Sequence, residues 1–182
     1  MEKNQRAPGR LDLIRVFANT WDAETGRDAL AELDQAQAWL HTMELPSVAR
    51  AGLPQLVAFR NAVRAVLEAH DGHGSEIVAW QALEHSIGGI RLCVHVDGAE
   101  QLHLAPAPEA SCTPVATLVG LVYDAIREGT WSRLKICRAS DCAVAFYDYS
   151  KNGSGTWCDM AVCGNREKAR RRRRKLPAAG SF

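Results

Sequence analysis

The sequence predicts a mostly α fold with one small β-hairpin (α+β), a helical N-terminal domain followed by a compact cysteine-bearing module with a basic C-terminal helix. Three observations carry this. Apolar residues recur at helical spacing through the first half, the period then falls to two over a short stretch, and four cysteines fall in two pairs near the end. Composition agrees: 47% hydrophobic and 24% charged residues in 182 describe an ordinary globular chain, not a disordered or fibrous one. The apolar runs fall short of the roughly 20 residues a membrane helix requires, and the opening residues carry no apolar signal core, so a cytoplasmic location with no membrane partner is expected.

Residues 1–10 read as a flexible extension, and residues 11–132 as the helical domain. From Leu11, Ile14, Phe17, Ala18 and Trp21 share one helical face. Asp28 suits the cap of a second helix bearing Leu30, Leu33 and Leu40. Pro54, after Gly52-Leu53, suits the first turn of a third, whose buried stripe is Leu56, Phe59, Val63, Val66 and Leu67. Ser75 caps a shorter fourth helix with Ile77, Trp80, Leu83 and Ile87 inward.

After Gly88-Gly89 the alternation begins. Leu92, Val94 and Val96 face Leu102 and Leu104 across a loop at 98–100, predicting a hairpin at 91–105 with its apolar side packed on helices. Thr113-Pro114 opens a fifth helix with Val115, Leu118, Val119, Val122 and Ile126 inward, ending at Gly129.

The cysteines read Cys137-x4-Cys142-x15-Cys158-x4-Cys163. Two close pairs separated by one hairpin's length are what a tetrahedral zinc ion requires, each pair wrapping one side. Four thiolates leave no position for an activated water, so a single Zn²⁺ here is structural and not hydrolytic. Between the pairs, residues 144–147 read as a strand and 152–155 as its turn. Disulfides or four unrelated free thiols are the alternatives. Cys93 and Cys112 lie outside the set, and free cysteine is commonly a small buried hydrophobe. His95 and His103 face each other on the hairpin without a third ligand and read as polar strand residues.

Charge is divided unevenly. Residues 1–136 hold 12 basic against 17 acidic side chains, a net of −5; residues 137–182 hold 10 against 4, a net of +6. Arg166, Lys168, Arg170, Arg171, Arg172, Arg173, Arg174 and Lys175, with only Glu167 opposing, give +7 over ten positions. The types favour helix, Leu176-Pro177 stops it, and the lack of an apolar stripe means burial cannot hold its length. Such a segment should order along phosphates; a solvated basic tail with no specific partner is the alternative.

Trp157 to Arg166, reading Trp-Cys-Asp-Met-Ala-Val-Cys-Gly-Asn-Arg, resembles the signature of the CGNR zinc-finger family. Cys137, Cys142 and the run Phe146-x-Asp148-x-Ser150-x-Asn152 fit the same pattern, and residues 11–132 resemble the ABATE-type domain that precedes this finger in bacterial proteins. The resemblance implies a bacterial transcription regulator. It implies a treble-clef-like finger at 133–176, zinc on Cys137, Cys142, Cys158 and Cys163, and Arg166 and Lys168 on the nucleic-acid side. Family members carry further arginines where this chain has Gly153-Ser154-Gly155-Thr156, which shifts phosphate contact toward 166–175.

The resulting expectation is a DNA-binding, non-enzymatic regulator, whose helical domain suits a homodimer interface, a pocket for a small-molecule effector or a surface for another protein. An RNA-binding or ribosome-associated protein is the alternative, since arginine-rich helices also order on RNA. An enzyme or small-molecule-binding protein with the helical domain as its active part is another. Against catalysis, the chain has no nucleophile elbow, no phosphate-binding glycine loop and no His/carboxylate set at ligand spacing.

Overall fold

The computed structural model describes residues 6–72, 74–99, 101–110 and 112–175, the side chain of Lys175 excepted. The expected stop at Leu176-Pro177, the tail at 177–182, residues 1–5 and Glu100 of the hairpin loop lie outside these. Among the described residues the order is α1 (Leu11–Ala18), α2 (Leu33–Thr42), α3 (Leu53–Ala69), α4 (Glu76–Ser86), β1 (Leu92–Val96), β2 (Leu102–Pro106), α5 (Thr113–Arg127), β3 (Leu134–Ile136), β4 (Ala145–Tyr147) and α6 (Asn165–Lys175). None of these helices is long and apolar enough to cross a membrane.

The core forms where α1, α3 and α5 meet. Ile14, Phe17, Leu56, Phe59, Val63, Leu67, Val115 and Leu118 are almost wholly buried in it. Phe17 stacks on Phe59 with ring centroids 5.7 Å apart, a geometry that adds to area burial. Residues 6–10 are held against this body. Ala7 is buried and its amide donates to Asp12 Oδ1 at 2.8 Å, while the Arg6 carbonyl accepts from the Tyr149 hydroxyl.

Several elements differ from the sequence expectation. Helix α2 starts at Leu33 with Glu32 at its cap position. Asp28 instead closes a turn by accepting from the Leu30 amide at 2.8 Å, and its carboxylate pairs with Arg60. Local capping chemistry is present, one turn too early. Trp21 lies beyond α1, partly exposed, opposite Asp28. On α4, Ser75 does cap the helix, but Ala79, Leu83 and Ser86 are the buried residues and Ile77 and Trp80 face outward.

The β1–β2 register is the expected one, Val96 against Leu102 and Val94 against Leu104. Its apolar face is not packed on helices, however: Val94, Val96 and Leu102 are each more than half exposed. The hairpin instead meets α5 through the backbone of β2. A Cβ on Gly120 would lie 2.4 Å from the Leu104 carbonyl oxygen, so only glycine admits the approach. Ile126, expected inward on α5, is nearly half exposed.

The second hairpin ties the C-terminal module to the body. β3, unanticipated from sequence, pairs antiparallel with β4, and Leu134, Ile136 and Ala145 are buried in the helical core. Asn19 completes the outer edge of β4: its side-chain amide donates to the Ala145 carbonyl and accepts from the Ala145 amide, at 2.9 and 2.7 Å. The other face of this hairpin presents Phe146 and Cys137 to a second, smaller cluster with Cys163 and Trp157.

Candidate metal centre and basic helix

β3 runs directly into Cys137, whose amide donates to the Val144 carbonyl at 2.8 Å and so closes the strand pair above the first cysteine turn. The turn ends with the Cys142 amide on the Ala139 carbonyl, 3.0 Å away. The second limb is brought alongside by the Arg138 amide, which donates to Thr156. Asp159 then begins one wide helical turn, Met160–Gly164, by accepting from the amides of Ala161 and Val162 at 2.7 and 3.0 Å. That turn carries Cys163 inward.

Cys137, Cys142, Cys158 and Cys163 are thereby gathered so that their four Sγ atoms all lie within 4.8 Å of one another. Cys142–Cys158 and Cys158–Cys163 are 3.6 Å apart. Sulfurs around a tetrahedral zinc at about 2.3 Å lie about 3.8 Å from each other, so the cage has the size of that ion. Without a cation the four sulfurs share their protons unequally. Thiol hydrogen bonds from Cys142 and Cys158 pull Cys137 far below the usual thiol range, to about 2. The same bonding to Cys137 pushes Cys158 up, and burial pushes Cys163 up to about 12. Four thiolates cannot sit this close without a cation, and zinc supplies one while leaving no open coordination position. The chain is a zinc-binding protein with one structural Zn²⁺ held by these four residues.

Two family models match the chain. Residues 133–175 match "CGNR zinc finger", and residues 11–128 match ABATE, described as "Putative stress-induced transcription regulator". The chain belongs to the ABATE family. The ABATE match ends at residue 128 and the finger match begins at residue 133, just before β3 enters the helical core. A search of the curated proteins finds no match to the chain.

The Cys-Gly-Asn-Arg signature of this ABATE chain acquires a physical reading. Cys163 is the fourth ligand. Gly164 is buried where space is short: a Cβ there would lie 2.5 Å from Met160 Sδ and 3.0 Å from the Trp157 ring, so any side chain would have to displace the methionine. Asn165 returns its amide to the Ala161 carbonyl at 3.1 Å. Arg166 donates to Cys163 Sγ at 3.5 Å and pairs with Asp141 at 2.8 Å, so it offsets thiolate charge from outside the ligand set.

Seven of the eight cations therefore divide by position, the side chain of Lys175 lying outside the described residues. Arg166 and Arg170 face the finger: Arg170 reaches both oxygens of Asp141, the Ser140 hydroxyl and Glu167. Lys168 and Arg171 to Arg174 are exposed. Asp141 and Ser140 lie inside the first cysteine turn, so the loop that grips the metal also grips the helix. Sequence reading missed Asp141, which looks like any polar turn residue between two cysteines.

It also missed the clamp between finger and body. Lys135, 2% exposed, lies between Asp71 at 3.0 Å and Asp148 at 2.9 Å and donates to the Gly155 carbonyl. Arg138 Nε lies 2.9 Å from the second Asp71 oxygen, a charge contact without the alignment of a hydrogen bond. Burial works against ionising Asp148, but the Lys135 ammonium and the Ser150 and Gly155 amides outweigh it, holding the carboxyl at about 2. His70, at the end of α3, bonds the Leu134 carbonyl through Nδ1 at 2.8 Å. Cys112 is buried and its thiol pushed up by burial, whereas Cys93 is exposed. His95 and His103 stack 5.0 Å apart, and among the described residues the four cysteines form the one cluster suited to a metal.

Proposed function

We propose that this ABATE protein is a DNA-binding transcription regulator, without catalytic activity, that works at the nucleoid. The observation that carries the reading is the set of exposed cations Lys168, Arg171, Arg172, Arg173 and Arg174 around a helix whose first turns are pinned to the zinc loop by Arg166 and Arg170. Zinc fixes the finger, Asp141 fixes the helix on it, and the free cations project as a group toward phosphate. Arginine forks bond phosphate bidentately and can reach guanine edges in a major groove. Cation density gives affinity; sequence choice must come from base-edge contacts.

Duplex binding measured against salt tests this. With about five phosphates neutralised, log affinity should fall with log salt at a slope of roughly −4 to −5. Binding that is flat across the range sinks the reading. Structured RNA competing better than duplex DNA at fixed salt would transfer it to the RNA class.

A further inference from the structure

The helical spacing of α3 places Arg60, Asn61, Arg64 and Glu68 on one face, opposite Trp21, around an open groove of about 350 Å³. Arg60 is fully engaged there: it forks onto Asp28, and its Nε donates to Asn61 Oδ1 at 3.0 Å. That bond leaves the Asn61 amide hydrogens directed elsewhere.

Arg64 is the anomaly. It is 5% exposed, yet among the described residues no carboxylate lies within ion-pair reach. Its Nη1 and Nη2 donate to the carbonyls of Ala18 and Ala143, both at 2.8 Å, and its guanidinium lies 4.8 Å from the Trp21 ring centroid. Among the described residues Nε makes no hydrogen bond. A buried cation is ordinarily paired, and burial lowers the Arg64 pKa accordingly. One turn along α3, Glu68 is exposed and forms no ion pair among the described residues. Residues four apart on a helix have Cβ atoms about 6 Å from each other, so an unpaired cation and an unpaired anion stand side by side across the groove. Two cations and two anions line it, so the site is neutral in sum.

We infer that this groove binds a small zwitterion of the α-amino acid class. The carboxylate bonds Arg64 Nε and the Asn61 amide, the ammonium bonds Glu68, and the ligand's side chain rests against Trp21. A simple anion would meet Asp28 and Glu68, and a simple amine would meet Arg60 and Arg64; a molecule carrying both charges satisfies each. The site adjoins the zinc loop, because the Ala143 carbonyl that Arg64 holds follows the ligand Cys142. The inference stands independently of the nucleic-acid reading.

Titration calorimetry on the full zinc-loaded chain tests it, with the twenty protein amino acids as probes at up to millimolar concentration. At least one should bind, and its amine and des-amino counterparts should bind about tenfold or more weakly, the loss expected when a charged hydrogen bond is removed. Glu68→Gln and Asn61→Ala should each weaken binding to the same degree. Glu68 is exposed and forms no ion pair among the described residues, so Glu68→Gln should leave the melting temperature of the free protein unchanged, whereas Asn61→Ala also removes the acceptor of the buried Arg60 Nε and should lower it. No heat from any of the twenty overturns the proposal. So does equal binding by a des-amino acid, or binding undiminished in both variants.

Discussion

Asp141 and Arg170 are 29 positions apart in the chain and 2.7 Å apart in space. The first belongs to the cysteine turn and the second to the basic helix. Because Asp141 also pairs with Arg166, one carboxylate holds two successive turns of α6. The hydrogen bond from Arg170 in turn keeps the Asp141 carboxyl below its ordinary range.

This makes Asp141→Asn a discriminating variant. It removes a negative charge beside a cationic helix, so simple long-range electrostatics would tighten duplex binding. Loss of the anchor should instead weaken it, by roughly three- to tenfold, because α6 must then be ordered by the duplex itself. Hydrogen exchange of the α6 amides should rise in parallel. Tighter binding with unchanged exchange would refute the anchoring role.

Zinc removal should be felt beyond the finger. The β3–β4 hairpin puts Leu134, Ile136 and Ala145 into the helical core while Cys137 leaves its end. Chelation is therefore expected to lower the melting temperature of the whole chain in one transition, and metal analysis before it should give about one zinc per chain. A helical domain that melts at its original temperature after chelation would show that the two parts are energetically separate.

Acid should reveal the Lys135 clamp. The folded Asp148 carboxyl, at about 2, lies below its value of 3.8 in an unfolded chain. The unfolded state therefore binds more protons between these values, and stability falls as pH drops through that window. The contribution is complete above about pH 4 and absent below about pH 2. Asp148→Asn should cost about 2–4 kcal/mol near neutrality, by leaving Lys135 with Asp71 as its remaining carboxylate. The difference between wild type and variant in urea titrations should shrink toward zero from pH 4 to pH 2. A difference that is flat with pH would contradict the assignment.

How much of this was legible in the sequence depended on the range of the interaction. The four cysteines and the α6 cations could be read because ligand spacing and charge density are local properties. The hairpin register followed from alternation, since Val94, Val96, Leu102 and Leu104 leave one pairing that aligns their faces. Which side of that hairpin packs was not determined by alternation; it was decided by Gly120, which lets a backbone edge dock where a face was expected. Asp28 showed its capping chemistry but not its partner 32 positions away, Arg60. Arg64, Lys135 and Asp141 carried no signal at all, because what distinguishes them is the group each meets after folding. β3 was missed for a related reason: three residues are too few to show a period.

The anchoring of α6 also bears on the conformational freedom lost when a polyanion arrives. Ordering one backbone residue costs about 1–2 kcal/mol. From Asn165 through Arg170 that loss is already absorbed in folding, through Cys163, Asp141 and Ser140. Beyond Arg170, among the described residues, no side-chain hydrogen bond or ion pair holds the helix to the rest of the protein, and its arginines repel one another. Association should therefore be a two-part event: rigid docking of a pre-shaped stem, then ordering of a short outer segment whose entropy loss scales with how many phosphates it reaches.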